Sequence, residues 1–286
     1  MKDWLKSLFI GVFPVLALMA SIVAIWQFVR TGFSFSYYLG LFIVSISILA
    51  FFGKLSIKPV ARTKANPILY SVGVGIGVVV VVVLLITVEK DIAILWLTMV
   101  LALGWLLYLK WYSVYDNRSA NDKLQVGKVL PSFQLEDAKA NTIDSSSFLG
   151  NPTIYLFYRG NWCPLCMAQI KEITAQYKEL EKLKVNTVLV SPQPHKYTEQ
   201  LAKKYKLNFN FLVDTKNRVA QQLGIMAKNG LPMGFQALGY DSDSVMPTVL
   251  ITDRTGKLLF VDLTDNYRVR PEPETFLKVL ENNAAA

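Results

Sequence analysis

The sequence predicts two parts made for two solvents: an all-α transmembrane region of about four helices, then an α/β domain in which helices flank a central mixed sheet. Three observations carry this. The chain of 286 residues is 52% hydrophobic and its mean hydropathy is positive, which is high for a soluble domain. Its long apolar runs are confined to residues 1 to about 110. From about residue 113 onward, short apolar runs alternate with charged stretches of helical periodicity, the pattern of βα units. The expected division is a transmembrane region at 1–112, a linker at 113–125 and the α/β domain at 126–283.

Four runs make the first part: 8–29, 37–53, 67–88 and 92–109. The first is long enough for a bilayer core, and the second is shorter but uncharged. The third contains the run VVVVVV, which reads as a strand in water but is acceptable in a lipid-facing helix. A cleaved signal peptide is disfavoured for the first run, because Trp26 and Phe28 stand where small residues are wanted. Trp4, Trp26, Tyr37, Tyr38, Tyr70, Trp111 and Tyr112 lie near run ends, the place for headgroup-level aromatics.

The cations set the orientation. Lys2 and Lys6 precede the first run, Lys54, Lys58, Arg62 and Lys64 crowd the second connection, and Lys110, Arg118 and Lys123 follow the fourth run. The other two connections hold Arg30 and, beside Glu89 and Asp91, Lys90. Under the positive-inside rule the amino terminus and the α/β domain are cytoplasmic, as expected of an integral protein of a bacterial-type inner membrane. This orientation requires all four runs to span. The net charge of +9 then reflects loops facing an anionic leaflet. No basic stripe interleaved with aromatics marks a nucleic-acid surface.

In the second part, Thr153–Tyr158 (TIYLFY) predicts a buried strand. Ile170, Ile173, Tyr177, Leu180 and Leu183 recur on one helix face. A strand at 187–190, a helix at 196–205, a strand at 209–213 and a helix near 216–223 follow. Strands at 248–252 and 257–262 flank the turn Asp253-Arg254-Thr255-Gly256, and prolines open a last helix at 273–280.

The two cysteines of the chain, Cys163 and Cys166, fall in YRGNWCPLCM, just after the first central strand and at the start of its helix. Unpaired N–H groups and the helix dipole stabilise an anion there, and thiols in such motifs have pKa values of about 3.5 to 7.5 against about 8.5 when free. The two-residue spacing lets one sulfur reach the other, and Pro164 restricts the turn between them. A structural zinc site needs four ligands and only Cys163, Cys166 and His195 offer soft ones, so no metal is expected. Inert buried cysteines do not suit a Gly-Asn-Trp turn, and a structural disulfide does not suit a cytoplasmic domain. Redox chemistry is the favoured reading.

The run from Val126, VGKVLPSFQLEDAKANTIDSSSFLGNPTIYLFYRGNWCPLC, resembles the redoxin family, the thioredoxin-superfamily branch that includes the alkyl hydroperoxide reductase and thiol-specific antioxidant peroxiredoxins. LVSPQ at 189–193, PTVLITDRTGKLLF at 247–260 and NYRVRPEPE at 266–274 are similar in the same order, so the resemblance covers about 160 residues. It implies a thioredoxin-like fold and two conflicting roles for the cysteines. Peroxiredoxin-like spacing places the attacking sulfur at Cys166. Thioredoxin-like spacing makes it Cys163, the position of usual low pKa, with Cys166 resolving. Peroxiredoxins hold an arginine just before the hairpin, where this chain has Met246-Pro247-Thr248 in the place of the thioredoxin cis-proline loop. Pro247 and Thr248 are therefore expected to let a substrate approach the sulfurs. Arg159 stands in for the missing arginine, or else is a solvated arginine at the strand end or a partner for Asp144 or Glu172, and Trp162 shields the site or packs beside it. Arg268 and Arg270 belong to the family-like tail without an assigned place.

The expected activity is thiol-dependent reduction of a peroxide or a disulfide through Cys163 and Cys166, renewed by an external thioredoxin- or glutathione-like reductant. No metal, flavin or haem is implied. The alternative is a redox sensor or membrane scaffold in which oxidation of the pair changes a contact. Residues 1–125 contain no cysteine or histidine, so the helices are expected to anchor the domain and not to relay thiols.

Overall fold

The computed structural model describes residues 3–31, 37–87, 92–115, 118 and 121–284. Lys2, Val88, Glu89, Lys90 and Asp91, and residues 116, 117, 119 and 120 of the expected linker, lie outside the described residues. The chain forms two compact units. One comprises Leu5–Pro59 and Lys64–Val114; the other comprises Tyr115–Ala286 together with Val60–Thr63 and the first few residues.

The helical unit contains α1 (Trp4–Thr31), α2 (Tyr37–Ile57), α3 (Ile68–Thr87) and α4 (Ile92–Leu107). All four are long and apolar enough to cross a membrane. The last continues through one wide turn, Tyr108–Tyr112, in which the Ser113 N–H reaches the Tyr108 carbonyl at 3.1 Å. Small residues let α2 and α3 approach closely: a Cβ on Gly77 would sit 2.6 Å from the Gly40 carbonyl oxygen, so neither position tolerates a side chain. Ser21 donates to Ser45 at 2.8 Å, satisfying two buried hydroxyls. Val15, Met19, Val79, Ile86 and Trp96 are exposed, a lipid-compatible surface.

The second unit is built on a seven-stranded mixed sheet. Its strands are β1 (Gln134–Glu136), β2 (Thr142–Asp144), β3 (Thr153–Phe157), β4 (Asn186–Ser191), β5 (Asn210–Val213), β8 (Thr248–Thr252) and β9 (Leu258–Asp262). They lie in the order β2-β1-β5-β4-β3-β8-β9, and β6 (Met226–Ala227) pairs separately with β7 (Ser244–Val245). Helices α5 (Pro164–Ala175), α6 (Tyr177–Lys182), α7 (His195–Tyr205), α8 (Arg218–Gln222) and α9 (Pro273–Ala284) complete it. Strand β3 is parallel to β4 and antiparallel to β8, and all five of its residues are buried. That is why the sequence shows a continuous apolar run there and not an alternation. Tyr155 and Phe157 join Phe133, Val188, Val190, Leu212 and Leu250 in one core cluster, while Ile154, Leu156 and Leu189 turn to the opposite face. Parallel β3-β4-β5 with an antiparallel hairpin at the far edge is the thioredoxin-like arrangement.

Several elements differ from the sequence expectation. The short strands β1, β2, β6 and β7 were not foreseen, because two or three residues carry no periodicity. The helix expected near 216–223 begins at Arg218, after Lys216 and Asn217 adopt left-handed backbone. The cause is Asp214, whose carboxylate accepts from the Val219 and Ala220 N–H groups at 2.9 and 2.8 Å and fixes the helix start.

Candidate active site

The end of β3 delivers the chain to a turn that only glycine makes easily. Gly160 has φ +144°, and a Cβ there would lie 2.7 Å from Trp162 Nε1. Gln193, from the loop after β4, locks this turn. Its Oε1 accepts from the Asn161 N–H at 2.8 Å, and its amide nitrogen bonds the Tyr158 hydroxyl and Thr198 Oγ1, each at 3.1 Å. Tyr240 bonds Asn161 Oδ1 through its hydroxyl and stacks on Tyr197. Cys163 is the N-cap of α5, with Pro164 in the first helical position and Cys166 in the first turn.

The cysteines are free thiols and both are buried, with 2% of Cys163 and none of Cys166 exposed. Their sulfurs stand 2.8 Å apart. Arg270 closes the site from below: its Nη2 lies 3.5 Å from Cys166 Sγ, Nη1 donates to Gln169 Oε1 at 2.7 Å, and Nε donates to the Tyr267 carbonyl at 3.0 Å. Burial pushes the Cys166 thiol up, yet the hydrogen bond from Cys163 and the Arg270 guanidinium outweigh it and hold Cys166 well below the ordinary thiol range. Burial, the bond to Cys166 and the charge of that sulfur push Cys163 well above it, against the pull of Arg270 and Arg159. Charge and hydrogen bonding together favour an anion at Cys166 over one at Cys163.

The other expected site residues divide. Arg159 faces the cysteines electrostatically but is spent on local contacts: Nη2 donates to the Gly230 carbonyl at 2.5 Å, and the guanidinium lies 4.5 Å from the Trp162 ring centroid and 5.4 Å from that of Tyr267. Glu172, one of its expected partners, is bonded by Arg62. Trp162 also packs on Phe235, 5.8 Å between centroids. Thr248 pairs with Phe157 at the end of β3, which brings the 247–248 loop to the same end of the sheet. No peptide bond among the described residues is cis, the one before Pro247 included. The Pro247 carbonyl and Thr248 Oγ1 accept from Arg118 at 3.0 and 2.6 Å, and the Thr248 hydroxyl donates to the Met246 carbonyl at 2.8 Å, so both are turned toward Arg118. His195 pairs with Glu136 at 2.8 Å. Among the described residues no three His, Cys, Asp or Glu side chains gather as metal ligands would.

Residues 126–261 match the AhpC/TSA family model. The matched stretch makes up somewhat less than half of the chain. The domain is similar to the chloroplastic peroxiredoxin Q of Populus jackii, 30% identical over 105 residues that make 37% of this chain and 49% of that protein. It is also similar to peroxiredoxin Bcp of Escherichia coli strain K12, 24% identical over 56% of this chain and 98% of that protein. Among solved structures, peroxidoxin BcpB from Mycobacterium tuberculosis aligns over 56% of this chain and 97% of its own, at 20% identity and a TM-score of 0.46. The chain spans about half the length of the peroxiredoxin Q relatives it matches. Arg270, Gln169 and Gln193 are the site residues that the sequence did not single out. The available signals were the LVSPQ and NYRVRPEPE motifs, of which Gln193 and Arg270 are members.

Proposed function

We propose that the AhpC/TSA domain is a thiol peroxidase held at a membrane by the four apolar helices. The observation that carries this is the placement of the buried Arg270 guanidinium on Cys166, with Cys163 Sγ at 2.8 Å. An arginine that stabilises a thiolate can also hold the peroxide oxygen that becomes negative as the O–O bond breaks. Cys166 attacks the peroxide, forming a sulfenic acid and releasing hydroxide or alkoxide, which is protonated to water or alcohol. The Cys163 thiol then displaces water from the sulfenic acid, giving the Cys163–Cys166 disulfide, and an external dithiol of thioredoxin type supplies two electrons to restore the pair. This order is the reverse of the one favoured by motif position. Cys163 is scarcely more exposed than Cys166, so access does not choose between them; the Arg270 guanidinium beside Cys166 is what supports attack by that sulfur.

The helices span the membrane with the amino terminus and the redox domain on the cytoplasmic side, from the cation distribution. A reporter fused at the carboxy terminus should behave as cytoplasmic, and a periplasmic response would remove this topology. The peroxidase reading is tested by steady-state consumption of hydrogen peroxide and an organic hydroperoxide by the full chain in detergent, with thioredoxin as reductant. Many equivalents consumed support a catalyst. A single equivalent, or turnover of protein disulfides only, would replace it by a sensor or a disulfide reductase.

A further inference from the structure

The segment Val60–Thr63 lies in sequence between α2 and α3, yet it packs as part of the compact unit that carries the cysteines. Its contacts are concentrated on the tail around Arg270. The Thr63 N–H donates to the Arg268 carbonyl at 2.8 Å, and Arg268 Nη1 donates back to Thr63 Oγ1 at 3.0 Å. On the other side of Arg270, Arg62 donates to the Pro271 carbonyl at 3.2 Å and to Glu272 at 2.5 Å. The same guanidinium forks onto Glu172, in the cysteine-bearing helix α5. Ala61 is buried between these contacts and Arg268 is wholly enclosed.

We infer that Arg62 is a positioning residue for the redox site, and that the α2–α3 connection is the clamp that sets Arg270 against Cys166. Arg62 ties the Pro271–Glu272 stretch to α5, and Thr63 fixes Arg268, so Arg270 is gripped two residues before and one residue after its own position. A bidentate guanidinium suits the task, because its planar fork holds two carboxylates in one geometry where an ammonium does not. The cysteine helix and the arginine tail are far apart in sequence, and the contact between Arg270 and Cys166 spans 104 residues. Something must hold them in register, and a piece of chain between two apolar helices does so. The catalytic domain is thereby incomplete without a segment of the region that otherwise serves as its anchor.

This inference rests on the proposed roles of Cys166 and Arg270. The test uses the full chain in detergent, with hydrogen peroxide as substrate and dithiothreitol as reductant. It compares Arg62→Gln, Arg62→Lys, Glu172→Gln, Arg270→Met and Cys166→Ser. Arg62→Gln should slow peroxide consumption roughly three- to thirtyfold, the range for losing one contact of a coupled network. It should also move the pH midpoint of Cys166 alkylation upward, which general loosening of the fold does not do. Arg62→Lys should shift both in the same direction by less, and it carries the comparison should Arg62→Gln not accumulate. Unchanged rate and midpoint in the Arg62 variants, with Arg270→Met and Cys166→Ser both impaired, would overturn the clamp alone. Full activity in Cys166→Ser would overturn the role given to Cys166 beneath it.

Discussion

Replacing Arg270 with methionine keeps much of the side-chain length and removes the charge that faces Cys166. In the folded protein the Arg270 guanidinium sits 3.5 Å from Cys166 Sγ and is itself buried. Water cannot substitute for it, since Cys166 has no exposed surface. A hydrogen bond to a charged group contributes about 1.5–3 kcal/mol, and each 1.36 kcal/mol is tenfold. Arg270→Met should therefore lower the second-order rate with hydrogen peroxide at neutral pH roughly ten- to a hundredfold. The pH profile sharpens the test. In the native protein Cys166 is held below the ordinary thiol value, so the rate should be flat through neutral pH and fall only in acid, as the thiolate is protonated. In Arg270→Met the fall should move toward neutral pH. Stopped-flow peroxide consumption and iodoacetamide alkylation across that range read both quantities. A loss of less than about threefold, below half a kcal-scale hydrogen bond, with an unmoved profile would refute the role given to Arg270.

The same pair makes stability depend on pH. The folded Cys166 pKa is depressed, while the unfolded chain regains an ordinary thiol, so the unfolded state binds the extra proton and stability rises with pH between the two values. Cys163 is raised, and its contribution is present below the ordinary thiol value and lost only at alkaline pH. The Tm of the reduced chain should thus climb from mildly acidic toward neutral pH, with the slope flattened in Cys166→Ser. Gly160→Ala should destabilise the domain by about 1–3 kcal/mol, because φ of +144° and the Trp162 ring both oppose a Cβ; a Tm equal to the parent's would count against the strained turn.

The legible parts of the molecule were those with local signals. Four apolar runs gave the four helices, the continuous run at Thr153 gave the buried central strand, and three- and four-residue spacing gave one helical face that the structure breaks at Gln176 into α5 and α6, with both cysteines at the start of α5. The illegible parts depended on distant chain. Arg270 reaches Cys166 across 104 positions, and nothing in the tail distinguishes it from Arg268, which faces Thr63 instead. Arg62 reads as one of several cytoplasmic cations, yet it bonds two carboxylates and a carbonyl. Arg159, the arginine adjacent to the motif, contacts Gly230 and Trp162. Proximity in sequence favoured Arg159, whereas Arg270 is the guanidinium within hydrogen-bond distance of Cys166.

The order of attack is the central point, and the site of the first oxidation product reads it directly. The Cys163→Ser and Cys166→Ser variants, treated with substoichiometric hydrogen peroxide and trapped with dimedone, are mapped by mass spectrometry. The geometry predicts a sulfenic acid on Cys166 in Cys163→Ser and little reaction of Cys163 in Cys166→Ser. A sulfenic acid on Cys163, formed at the parent rate in Cys166→Ser, would contradict the assignment of the thiolate and of the arginine that holds it.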